Sequence, residues 1–365
     1  MKRILSLIII VFILGALVVP IIACNKDCTE HLDENGDNIC DNCGETIKVE
    51  GDEPEVDTPS DDTVSDPEPE PVVPVMPVAN YTREVVGEVT YIYYGSLPQG
   101  AVSKEVNNAL SNLVSTNQIV PNEKGNYVYS DVEYACIVGN EQNEGRKLSN
   151  GLTIEKEGLY FFNIEKIKWR VLEEKDGKAV LFSEIVMDEY YFNPQDSYNS
   201  LGYLVGTQKR ANDYAESALR TYVNDTLYNS IFTEQERASI YDTQVLNRPG
   251  ESAFMETQGL ATYSTDKMYI PSYWEINEKY NLKVKVEETW RMVTVEAKDY
   301  QLASGIKVGL VNGHYYSAWW LRTSGSKMNN GNIVDANGTL GTDSSCSINL
   351  SDLSGIRPCI TIKTA

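Results

Sequence analysis

From residue 88 onward the chain alternates two hydrophobic rhythms. Glu88 to Tyr94 is a run of β-branched and aromatic residues that stops at Gly95-Ser96, which predicts a strand. Between Ala101 and Thr116 the apolar residues Val102, Val106, Leu110, Leu113 and Val114 recur at helical spacing. Ile167–Leu172 and Ala179–Ser183 flank Lys175-Asp176-Gly177-Lys178, which predicts a hairpin because Asp-Gly accepts positive φ. A helix is expected over Asp213–Tyr228, with Ala215, Leu219, Tyr222, Val223 and Leu227 on one face. Thr233-Glu234-Gln235-Glu236 then reads as a capping box opening a short helix through Ile240. The stretches 319–325, 332–338 and 355–362 read as closing strands. The pattern predicts one α+β domain over residues 81–365, of mixed antiparallel strands and a few helices.

The first 80 residues follow another logic. Lys2 and Arg3 precede an apolar run from Ile4 to Val19, then Pro20-Ile21-Ile22-Ala23-Cys24. This is the architecture of a secretory signal peptide, residues 1–23, with Cys24 as the acceptor of a diacylglycerol thioether. The competing reading is an uncleaved anchor, since the run nearly spans a bilayer. Both readings place the remainder on the extracellular face of the membrane. Acyl chains on a modified Cys24 would make the membrane itself a partner.

Residues 24–46 hold Cys28-Thr29-Glu30-His31 and Cys40-Asp41-Asn42-Cys43-Gly44. Cys28, His31, Cys40 and Cys43 supply three sulfurs and one imidazole, a full tetrahedral shell for a structural zinc. In the same residues Asp33, Asn35, Asp37 and Asp41 alternate as hard oxygen ligands would around calcium. Gly44 stands where a calcium loop carries its bidentate Glu, and an oxidising compartment also permits disulfides here. The segment resembles short Cys/His/Asp-rich repeats of clostridial-type secreted proteins. A metal bound by four protein ligands is structural, having no open position for water.

Residues 47–80 are acid and proline, typified by Asp66-Pro67-Glu68-Pro69-Glu70-Pro71, and cannot build a core. Polyproline stiffness and like charge extend such a segment to roughly 100 Å, at about 3 Å per residue. The formal charge of -22 is spread over both parts: residues 1–80 carry 17 acidic and 4 basic side chains, residues 81–365 carry 36 and 27. Neither part offers the clustered Lys and Arg that phosphate backbones need, so nucleic acid is not an expected partner. With only His31 and His314 in the chain, most histidine-based acid/base chemistry is excluded from the large domain by count.

Six motifs in order carry a family resemblance: Tyr94-Gly95-Ser96-Leu97-Pro98-Gln99, Lys168-Trp169-Arg170-Val171-Leu172, Ser217-Ala218-Leu219-Arg220-Thr221-Tyr222-Val223-Asn224, Asp266-Lys267-Met268-Tyr269-Ile270-Pro271-Ser272, Trp319-Trp320-Leu321-Arg322 and Gly355-Ile356-Arg357-Pro358. Together they resemble an uncharacterised bacterial domain family of surface and secreted proteins of Gram-positive gut bacteria. The closing strands are similar to C-type-lectin-like folds, which implies a single large domain of that kind. Against this pattern, 127–162 and 280–307 stand out as insertions, and insertions in such folds often form the variable surface.

Trp169, Arg220, Trp319, Arg322 and Arg357 are expected to be structural, the arginines through buried charge-assisted hydrogen bonds. Trp319 and Trp320 alternate on a strand, so one ring is core; the other, Trp320, is a candidate platform for sugar stacking, although buried packing is the commoner use of such a ring. Asn329, Asn332 and Asp335 are candidate polar contacts for a sugar or calcium, although turn chemistry accounts for them equally. Cys346 and Cys359 are a candidate cross-strand pair, with Cys136 left over. No catalytic residue is assigned. The expected function is a cell-surface lipoprotein displaying a glycan- or protein-binding domain on a stalk. The alternatives are an exported polymer-degrading enzyme with a carboxylate pair, or a purely structural envelope protein.

Overall fold

The protein is described from a computed structural model, which covers residues 76–247, 262–286, 289–325, 327–340 and 347–365. Among the described residues the architecture is mixed α+β, with mostly antiparallel sheets and few helices.

The chain opens with strands β1 (Thr82–Val86) and β2 (Val89–Ala101), followed by helix α1 (Lys104–Ser115) and strands β3 (Tyr127–Tyr129), β4 (Val132–Val138), β5 (Leu159–Lys175), β6 (Lys178–Ser183) and β7 (Asp188–Tyr191). Helical turns α2 (Ala218–Tyr222), α3 (Tyr228–Ile231) and α4 (Glu234–Arg237) come next, with a π-helical stretch joining the first two. Then follow β8 (Thr243–Asn247), β9 (Thr262–Asp266), β10 (Met268–Tyr269), a π-helical turn at Glu275–Lys279, β11 (Lys283–Val286) and β12 (Thr289–Met292). Helix α5 (Asp299–Ser304) precedes the closing strands: β13 (Val308–Val311), β14 (His314–Ser317), β15 (Trp319–Ser324), β16 (Asn330–Val334), β17 (Ser347–Asn349), β18 (Leu353–Ile356) and β19 (Cys359–Lys363).

The larger sheet runs β1-β2-β5-β6-β19-β10. Its backbone is the 17-residue β5, paired with β2 along one edge and with β4 and then β6 along the other. The β5–β6 turn falls at Asp176-Gly177, both in the left-handed region (φ 52 and 68), as the hairpin pattern requires. Strand β2 runs on past Gly95 as far as Ala101, with bulges after Tyr93 and Pro98 that let it change direction without ending.

The second sheet, β17-β16-β15-β18-β7, carries the closing motifs. Here β15 is central, antiparallel to β16 and parallel to β18. Both its faces are covered, so both tryptophans are buried: Trp319 packs against Phe182 of β6, and Trp320 against Phe192. Trp320 also donates from Nε1 to the Tyr190 carbonyl at 2.7 Å. Glycine admits this packing, since a Cβ on Gly331 would stand 2.8 Å from the Trp320 ring and one on Gly355 would stand 2.6 Å from the Ala318 carbonyl oxygen. The expectation that Trp320 presents a stacking surface is therefore corrected: alternation gave it the face opposite Trp319, but that face is also inside.

The motifs pair with one another in space. Trp169 Nε1 donates to the Tyr94 carbonyl at 2.8 Å. Arg220 Nε donates to the buried Asp266 carboxylate at 2.7 Å, and Asn224 accepts the Lys267 N–H at 2.9 Å. Arg357, fully buried, lies 4.2 Å over the Phe182 ring and donates to the Ser183 and Val293 carbonyls at 2.6 and 3.0 Å. Its Nη2 stands 3.6 Å from Glu184 Oε1, close enough for attraction and too far for a hydrogen bond. Burial lowers the pKa of this guanidinium to about 10, against the opposing pull of Glu184. The helical segment buries Leu219, Val223 and Leu227, and Phe232 beyond it stacks on Trp169. The folded chain begins earlier than residue 81, because Ala79 is buried and its N–H bonds the Lys363 carbonyl at 2.9 Å.

Candidate functional site

Two clefts carry the chemistry. The first lies where β8 meets the turn after β10. Ser272 opens that turn as an N-cap: its Oγ accepts the Glu275 N–H at 3.2 Å, and Glu275 Oε2 accepts the Ser272 N–H at 2.9 Å, a reciprocal capping box. The same carboxylate takes both terminal nitrogens of Arg322, Nη1 at Oε2 and Nη2 at Oε1, the latter at 2.7 Å. Arg322 also donates to the Ile270 carbonyl at 3.0 Å and the Leu246 carbonyl at 3.3 Å. One buried guanidinium thus ties β8, β10, β15 and the 272–275 turn together. Its side chain is 4% exposed and that of Glu275 16%.

Arg322 and Glu275 form part of the lining of a cleft of about 260 Å³ that also includes Thr243–Leu246, Tyr269 and Trp274. Trp274 is 46% exposed at this cleft. Leu246 pairs with Tyr263 in register across β8 and β9, which sets the two side chains on one face. Tyr263 is 62% exposed beside Leu246 but does not line the cleft, so Trp274 is the exposed aromatic side chain of its lining, beside the Arg322–Glu275 ion pair. Burial pushes the Tyr269 hydroxyl well above its ordinary range, so it stays a neutral phenol.

The second cleft, of about 530 Å³, is lined by the 147–149 loop, residues 296–299 and the tip of the β13–β14 hairpin. Asp299 lies buried at its base, accepting the Ala101 N–H at 2.9 Å, the Ser149 N–H at 2.8 Å and the Ser149 hydroxyl at 2.5 Å. At the rim His314 Nδ1 and Glu296 Oε1 are 2.8 Å apart.

The candidate ligand residues named in the sequence do not converge on either cleft. Asn329 is half-buried and its carbonyl accepts the Leu350 N–H. Asn332 is buried, and its Nδ2 has no hydrogen-bond partner among the described residues. Asp335 Oδ1 accepts the N–H groups of Asn337 and Thr339 at 2.8 Å each, the work of a turn residue. Cys359 is buried in β19, and its suggested partner Cys346 lies outside the described residues. So do Cys24, Cys28, His31, Cys40, Cys43, Asp33, Asn35, Asp37 and Asp41. Among the described residues no group of three or more His, Cys, Asp or Glu is placed to hold a metal ion, and no helix is long and apolar enough to cross a membrane.

Trp274 and Glu275 were missed by sequence reasoning although a signal was present. Ser272-Tyr273-Trp274-Glu275 follows the S-x-x-E spacing of a capping box, directly after the Tyr269-Ile270-Pro271 motif. No pattern in the chain, by contrast, pairs Glu275 with Arg322, 47 positions away.

Searches of curated proteins and of solved structures gave no match. Residues 176–364 match the model of a family described as Domain of unknown function (DUF6273). All the lining of the Trp274 cleft falls inside that stretch, whereas Gly100 and 147–149 of the second cleft fall outside it. By this match, which covers more than half its length, the chain belongs to the DUF6273 family.

Proposed function

We propose that the protein is a cell-surface lipoprotein, anchored through Cys24 and displaying its large domain on the acidic 47–80 stalk, and that this domain binds glycan without catalysis. The observation that carries the reading is the Trp274 cleft. Trp274 exposes a large apolar face beside a rigid Arg322–Glu275 floor. An exposed aromatic ring costs hydration free energy, and tyrosine and tryptophan on a surface are enriched where a ligand or partner covers them. An apolar face for a sugar's C–H side with polar groups at its edge suits a saccharide ring. The cleft is smaller than the ~300–1,000 Å³ of drug-sized sites, which favours a single ring or chain end.

A C-type-lectin-like fold, which the resemblance of the closing motifs implies, would fit this role. Cys28, His31, Cys40 and Cys43 would hold one structural zinc, or the neighbouring acids a calcium, at the base of the stalk.

The test is a glycan and wall-polymer binding screen with the full-length protein and with Trp274→Ala, while assaying the same wells for released products. Binding that the variant loses, without turnover, supports the reading. Turnover of any polymer overthrows it in favour of an exported enzyme, and binding indifferent to Trp274 removes the cleft from the account.

A further inference from the structure

The two stretches that stood out as insertions, 127–162 and 280–307, meet in the folded chain. Asn143 Nδ2 donates to the Ala303 carbonyl, and Arg146 donates to the carbonyls of Leu302 and Ile306 at 2.9 Å each and of Gly305 at 3.3 Å. Asp299 closes the contact by binding Ser149 and Ala101. This junction is built by charged and amide side chains on backbone groups, so it is fixed in geometry, and the 530 Å³ cleft sits on it.

The charges around the cleft are not evenly engaged. Asp299 accepts three hydrogen bonds from the protein, and Glu296 is paired with His314. Lys147 and Lys298 also line the cleft, are exposed, and make no ion pair among the described residues. Both carboxylates are thus engaged by hydrogen bonds within the protein, which leaves the two exposed ammonium groups as the charges at the mouth that can meet a ligand. Leu148, Ala297, Leu302 and Tyr315 give the walls apolar area, and the volume is that of an ordinary small-molecule site.

We infer that this cleft is a second binding site, separate from the Trp274 cleft, for a small ring compound bearing a carboxylate, of the class of hexuronic acids. The lysines meet the carboxylate and the walls hold the ring. Free acid and the acidic end of a polymer present the same group, and a monomer and an oligomer probe separate them.

The experiment is titration calorimetry of the full-length protein with galacturonate, with a galacturonate oligomer, and with galactose, which differs from the first in lacking the carboxylate. Galacturonate should bind at least about tenfold more tightly than galactose, a difference of about 1.4 kcal/mol. The Lys147→Ala/Lys298→Ala double variant should fall to the galactose level, and Lys147→Arg/Lys298→Arg should keep most of the affinity. Trp274→Ala should leave galacturonate binding in place, so that failure here and failure of the glycan reading are told apart. A tighter oligomer assigns the site to polymer ends, and equal affinity per ring assigns it to the free acid. Galactose binding as well as galacturonate, no binding of either acid at millimolar concentration, or binding that survives the double alanine variant overturns the inference.

Discussion

Removing the Glu275 carboxylate is the sharpest test of how the Trp274 cleft is held. Glu275→Ala leaves the guanidinium of Arg322, 4% exposed, without its counter-charge and strips the capping-box acceptor from the Ser272 N–H. Breaking a buried ion pair from one side costs about 3–5 kcal/mol. Because Glu275 keeps 16% of its exposure, the low end of about 3 kcal/mol applies, and the lost cap adds roughly 1 kcal/mol. Arg322→Met keeps the apolar stem but abandons the carbonyls of Ile270 and Leu246, and should cost a similar amount. In the double variant no charge is left stranded, so its loss should fall short of the summed losses by about 2 kcal/mol. Urea unfolding of wild type, both singles and the double closes the cycle. Additivity within roughly 0.5 kcal/mol, or a Glu275→Ala loss under about 1 kcal/mol, would refute the reasoning.

Other expectations follow from single groups. Burial holds the Asp188 carboxyl above its ordinary 3.8, with Tyr222 donating to it against that trend. A raised folded pKa contributes stability that is fully present below the unfolded value and lost as pH rises through the folded one. Asp188→Asn should therefore gain on wild type between about pH 4 and neutrality, and a thermal-melt series in which the difference is flat or reversed sinks the assignment. Gly355→Ala should lose about 1–3 kcal/mol, because its Cβ would stand 2.6 Å from the Ala318 carbonyl oxygen between parallel β15 and β18; unchanged stability in denaturant would contradict that packing. For the N-terminal module, elemental analysis should find about one zinc per chain, lost in Cys40→Ser/Cys43→Ser. Calcium instead would move the site to Asp33, Asn35, Asp37 and Asp41, and a metal-free protein would leave disulfides.

Local patterns were legible wherever a residue's partner lay within a few positions. The Asp176-Gly177 turn, the Leu219, Val223, Leu227 face and the Thr233–Glu236 capping box all follow from short-range spacing, and the structure has them. The mixed α+β class followed from the same rhythms. Tertiary structure decided what spacing cannot encode. Alternation put Trp319 and Trp320 on opposite faces of a strand, but only the packing of β15 between two covered faces buries both. The carboxylate for Arg322 comes from 47 residues upstream, and the walls of the second cleft from segments about 150 residues apart. Periodicity reports which side of its own element a residue takes; what lies opposite is fixed by long-range packing, which leaves no trace in local sequence.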